Sequence, residues 1–123
     1  MSSNEFSRIC RELYVINETV NISSEQNCVK FYVINESISG GFTFDANNSD
    51  SPELQCKIEA VTNVNLPFSL RYLNMFTKAS SISQQVELYL SKEFPLMLKY
   101  KLAELGILQF YLAPRMPDND ENK

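Results

Sequence analysis

The spacing of apolar residues changes several times along this chain, and the changes divide it into two halves of similar plan. Phe6, Ile9, Cys10 and Leu13 recur at helical spacing, which puts them on one face and predicts a helix from about Glu5 to about Val15. Asn4 stands where an N-cap belongs, and Glu5 adds negative charge to the first turn. The period then falls to two. Val20 and Ile22 alternate with polar residues, as do Val29, Phe31 and Val33, and Ser24-Glu25-Gln26-Asn27 separates the runs. That pattern predicts a hairpin. Gly40-Gly41 precedes a third strand at Phe42-Thr43-Phe44, glycine tolerating the backbone that a bulge or abrupt strand start demands.

Ala46 to Pro52 is polar and turn-rich, the pattern of a surface loop, and Leu54 to Val61 resumes extended structure. Val64, Leu66 and Phe68 then lead into a second amphipathic helix over residues 70–79. Three more alternating runs follow, Val86-Leu88-Leu90, Leu96-Leu98-Tyr100 and Leu108-Phe110-Leu112. Glu93 and Pro95 bracket one intervening turn, and Glu104-Leu105-Gly106 makes the other. The order helix, strands, helix, strands predicts an α+β domain with two helices packed on one face of an antiparallel sheet. The pentapeptide Tyr-Val-Ile-Asn-Glu occurs at residues 14–18, closing a helical pattern, and again at 32–36, inside an alternating one. Its conformation is therefore set by context.

With 123 residues and 44% hydrophobic content, the chain closes one core rather than two. No apolar run approaches the ~18 residues a bilayer span needs, and Met1 to Glu5 lacks the regions of a signal peptide. The sequons at Asn17, Asn21, Asn35 and Asn47 are read as a by-product of twelve asparagines. Cys10, Cys28 and Cys56 have no C-x-x-C spacing and no histidine accompanies them, which predicts buried thiols in a reducing compartment and neither metal nor cofactor. The carboxylates form no catalytic constellation and no glycine loop cradles phosphate, so an enzyme is the weakest reading.

The net charge of -4 excludes a protein whose whole surface attracts nucleic acid. Basic residues instead gather on the two predicted helices. Arg8 and Arg11 are neighbours on the first, and Arg71 and Lys78, seven residues apart, nearly eclipse one another on the second. Leu70, Leu73 and Phe76 face elsewhere, toward the core.

The segments Phe6 to Leu13, Leu70 to Ala79 and Gln109 to Arg115 resemble the C-terminal domain of the proliferating cell nuclear antigen family, the eukaryotic DNA sliding clamps, and the resemblance spans residues 5 to 117. It implies the DNA-clamp, or processivity, fold for residues 1–117, with a disordered acidic tail at 118–123. It also implies that a full protomer carries a second, similar N-terminal domain and a connector, neither of which is in this chain. Three such protomers form a homotrimeric ring in the nucleus, serving DNA replication and repair. In that family Arg8, Arg11, Arg71 and Lys78 correspond to residues that line the central hole and face the phosphates of double-stranded DNA, without reading its sequence. Phe94, Pro95, Tyr111, Leu112, Ala113 and Pro114 correspond to the surface that docks DNA polymerase and other clients through the PIP motif, Gln-x-x-aliphatic-x-x-aromatic-aromatic. Phe42, Thr43, Phe44 and Asp45 correspond to the edge strand that pairs with the neighbouring clamp subunit. The implied partners are DNA, clients, the clamp loader and other clamp subunits, with no membrane. Phe94 stands where relatives have a smaller aliphatic residue, and Gln26 where they have a lysine that receives ubiquitin or SUMO. A peptide-binding module, or a checkpoint-clamp relative that docks peptides without sliding on DNA, is the alternative.

Overall fold

The computed structural model describes residues 1–25, 28–45 and 63–115. The first apolar stripe forms helix α1, Ser3–Tyr14, and buries Phe6, Ile9, Cys10 and Leu13; the phenylalanine, isoleucine and leucine each stabilise the fold by roughly 1.5–3 kcal/mol relative to exposure. Its N-cap is Ser2, not Asn4: the Ser2 hydroxyl accepts from the Glu5 N–H at 3.4 Å. The helix starts early because Met1 to Ser3 pair with a later strand. The Val86 N–H donates to the Met1 carbonyl and the Ser3 N–H to the Gln84 carbonyl, each at 2.9 Å.

Strands β1, Thr19–Glu25, and β2, Cys28–Ile34, form the expected hairpin. Ser24 and Glu25 belong to β1 rather than to the turn, and Ser23 and Ser24 are buried. Strand β3, Ser39–Asp45, and strand β4, Val64–Ser69, complete a four-stranded antiparallel sheet in the order β3-β2-β1-β4. A Cβ on Gly41 would lie 2.6 Å from the Phe31 carbonyl oxygen across the β2–β3 pair, so only glycine lets the two backbones approach so closely.

Helix α2 spans only Leu70–Phe76 and tightens into a 3-10 turn at Thr77–Ser81. The Thr77 hydroxyl bonds back to the Asn74 carbonyl at 2.8 Å, the local competition that disfavours further α-helix. Strands β5, Val86–Tyr89, β6, Leu96–Lys101, and β7, Ile107–Leu112, form a second antiparallel sheet in that order. Between β6 and β7, Gly106 takes φ 115°, in the left-handed region, which glycine enters without a Cβ penalty. The α+β fold therefore stands, with its strands divided between two antiparallel sheets among the described residues. One core of α1, α2 and the inner faces of both sheets joins them, with Phe6, Phe31, Phe68, Leu73, Leu98 and Tyr100 among its members.

The loop and strand expected over 46–61 and the tail from 118 lie outside the described residues, as do Gln26, Asn27 and Cys56. Of the other cysteines, Cys10 is buried as expected, whereas Cys28 is only half-buried at the start of β2. No helix among the described residues is long and apolar enough to cross a membrane.

Candidate functional site

The two helices lie side by side and are tied through one amide. Asn74 of α2 donates to the Cys10 carbonyl of α1 at 3.2 Å and to the Leu70 carbonyl of its own helix at 2.9 Å. With the apolar faces turned into the core, Arg11, Arg71 and Lys78 are left exposed. None of the ion pairs among the described residues involves any of them. Arg71 lies 5.8 Å from the centroid of the Tyr72 ring. Lys78 stands on the 3-10 turn beyond α2, so the eclipsing with Arg71 expected of a continuous α-helix does not hold.

Arg8 is a different kind of residue. Its guanidinium meets Glu5 Oε1 at 2.6 Å and Glu12 Oε2 at 3.3 Å, and lies 5.2 Å from the centroid of the Phe42 ring on β3. These carboxylates, the Glu5 hydrogen bond first, raise it above the ordinary arginine range. The group of three carries a net charge of about -1, so Arg8 adds little positive potential to the helix face. The Glu5–Arg8–Glu12 spacing of three and four residues was readable as helical pairing; the Phe42 contact, between residues distant in sequence, was not.

The residues singled out for client docking fall on the second sheet and its continuation. Tyr111 is 60% and Phe94 68% exposed, Pro95 and Ala113 are exposed, and Leu112 and Pro114 are half-buried. Strand β7 occupies one end of its sheet's strand order, and Leu96 and Met97, which follow Pro95, pair with Leu112 and Tyr111. The fold thus brings Pro95 and Tyr111 into one region. Beyond β7 the backbone is partly committed: the Arg115 N–H donates to the Pro67 carbonyl of β4 at 2.9 Å, and Arg115 Nη1 donates to Thr19 Oγ1 at 2.7 Å. The partners of Arg115 lie on strands distant in sequence, with no local signal toward it.

Phe42, Thr43, Phe44 and Asp45 lie on β3, the terminal strand of the four-stranded sheet, whose one strand neighbour among the described residues is β2. Such an edge offers backbone groups to a further strand. No group of three or more metal-ligating side chains occurs among the described residues.

Two helices thus lie side by side over antiparallel sheets, with Arg11 and Arg71 exposed on them, Lys78 exposed on the turn beyond and β3 at the end of one sheet. The family model described as proliferating cell nuclear antigen, C-terminal domain, matches residues 1–115. The chain belongs to that family, one of non-enzymatic sliding clamps that act as processivity factors in DNA replication.

Proposed function

We propose that this chain supplies the C-terminal domain of a ring-shaped nuclear clamp that encircles duplex DNA and docks replication and repair proteins through their PIP peptides. The observation that carries the reading is the helix pair. Asn74 locks α1 to α2, and the pair exposes Arg11, Arg71 and Lys78 in a chain whose net charge is -4. An acidic body with a local cationic face holds duplex phosphates at that face and repels them elsewhere, and phosphate contacts carry no sequence information. The role belongs to Arg11, Arg71 and Lys78 ahead of Arg8, whose charge Glu5 and Glu12 already engage. Ring closure uses the β3 edge, paired with the N-terminal domain of the next subunit in a trimer. Clients add an extended segment beside Tyr111 to Pro114 and seat an aromatic anchor against Tyr111 and Pro95.

The test is an assembled clamp, with N-terminal domain and clamp loader present, carrying Arg11→Ala and Lys78→Ala together. Loading, or DNA-stimulated polymerase activity, should fall. Unchanged activity at physiological salt sinks the reading.

The neutralisation of Arg8 favours a second reading, a peptide-docking or checkpoint-type module that does not slide on DNA. It requires the Arg11 and Lys78 variants to be harmless while changes at Tyr111 or Pro114 are not.

A further inference from the structure

The outer face of the second sheet carries a cross-strand row of three large side chains. Tyr89 of β5 lies opposite Met97 of β6, and Met97 opposite Tyr111 of β7, so all three project from one face. The adjacent row, Leu88, Leu98 and Phe110, packs on the core side. Because β5 and β7 both run antiparallel to β6, they run parallel to each other. Each tyrosine reaches back two residues along its strand, Tyr89 donating to Glu87 Oε1 at 2.7 Å and Tyr111 donating to Gln109 Oε1 at 3.3 Å. The two phenol rings therefore lie in the same direction along the outer strands, about 10 Å apart across two strand spacings. Met97 and then Lys99, both half-buried, occupy the lane between them. The result is a shallow trough with aromatic walls and a thioether floor, surfaces that adapt to a flat ring.

One end of the trough is polar. Glu87, Lys99 and Gln109 form its next row. The Glu87 carboxylate is already engaged, by the Tyr89 hydroxyl and by Lys101 Nζ at 3.2 Å. None of the ion pairs among the described residues takes Lys99. Lys99 and Lys101 together outnumber Glu87 on this face, although the chain as a whole is acidic. Lys99 lies opposite Glu87 and helps to hold that carboxylate ionised, but two ammonium groups face one carboxylate, and the excess positive charge at the end of the trough is complementary to a further carboxylate.

We propose that this trough is a specificity subsite for a client peptide in which an acidic residue follows the aromatic anchor. The ring seats on Met97 between Tyr89 and Tyr111, and the carboxylate meets Lys99. The proposal rests on the docking reading of Tyr111 given above and adds Tyr89, Met97 and Lys99 to it.

The experiment titrates two fluorescein-labelled peptides of the form Gln-x-x-Leu-x-x-Phe-Phe, one followed by Asp and the other by Asn, into the full chain up to millimolar concentration. Wild type should prefer the Asp peptide by about three- to fivefold. Lys99→Gln should erase that preference while leaving the Asn peptide unchanged, and Tyr89→Ala should weaken both. If Tyr111→Ala weakens both peptides while Tyr89→Ala and Lys99→Gln change neither, the subsite is overturned and the docking reading stands. If neither peptide binds wild type at millimolar concentration, both are overturned.

Discussion

Asn17 and Asn35 clasp each other's neighbours. Asn17 Nδ2 donates to the Ile34 carbonyl at 2.7 Å, and Asn35 Nδ2 donates to the Ile16 carbonyl at 2.9 Å. Each asparagine is the fourth residue of one copy of Tyr-Val-Ile-Asn-Glu, and each bonds the isoleucine that precedes the other. The repeated pentapeptide thus joins the end of α1 to the turn that launches β3, and so ties a helix carrying candidate phosphate ligands to the candidate subunit edge. Asn35 Oδ1 also accepts from the Ser37 and Ile38 N–H groups at 2.9 and 2.7 Å. Asn35→Asp therefore keeps the turn and removes only the clasp. It should lower stability by about 0.5–1.5 kcal/mol, and a double-mutant cycle with Asn17→Asp should show coupling of about 0.5 kcal/mol. Urea unfolding followed by circular dichroism measures both, and strict additivity would show that the two bonds act independently.

Arg8 and Arg11 should behave differently toward DNA although they are neighbours on α1. In an assembled clamp, Arg11→Ala should reduce the slope of log affinity against log salt by about 0.9 if it contacts one phosphate. Arg8→Ala should leave the slope nearly unchanged, because Glu5 and Glu12 hold its guanidinium. Affinity measured across a salt series separates the two, and equal slope changes would contradict the neutralisation of Arg8.

Asn74 should matter more than its partial burial suggests. Asn74→Ala removes the bonds to Cys10 and Leu70 and should cost about 1–3 kcal/mol. Amide hydrogen exchange should rise in both α1 and α2, since the same side chain serves both. A rise confined to α2 would mean that packing alone sets the helix spacing.

The core should lose stability at alkaline pH. Burial pushes the Cys10 thiol up to about 12 from 9.0, and burial first, then the Cys10 charge, raises the Tyr100 hydroxyl above its usual 10.0. Both groups stay neutral in the folded protein while the unfolded chain ionises. Their contribution is therefore complete below pH 9 and is lost as pH rises toward 12, with a slope of up to about 1.4 kcal/mol per pH unit for each group. The Tyr100 hydroxyl is buried and has no hydrogen-bond partner among the described residues. Tyr100→Phe should therefore stabilise the protein by about 1 kcal/mol near neutral pH and flatten the alkaline decline. Urea midpoints from pH 7 to 11 test this, and a destabilised Tyr100→Phe would show that the hydroxyl has an unseen partner.

Apolar periodicity made most of the fold legible: the buried face of α1 and the alternation in β6 and β7 follow it residue by residue, and β1, β2 and β5 follow it in part, β1 ending on the adjacent buried pair Ser23 and Ser24. It failed where a distant or local hydrogen bond set the boundary. Ser2 displaced Asn4 as N-cap because the β5 edge captures Met1 to Ser3, and Thr77 ended α2 before Lys78. At the candidate site, residue type and family resemblance brought out the exposed cations, the terminal strand β3 and the Tyr111 to Pro114 segment. The grip of Phe42 on Arg8, the Arg115 anchor and the Asn17–Asn35 clasp were not legible, because each joins residues far apart in the chain through geometry that only the folded state supplies.

The proposed function has this domain close into a ring through the β3 edge. Static light scattering of the chain with an N-terminal clamp domain added in trans tests it most directly. A discrete assembly with the mass of three copies of each domain is expected. A chain whose mass is the same with and without the added domain would contradict it.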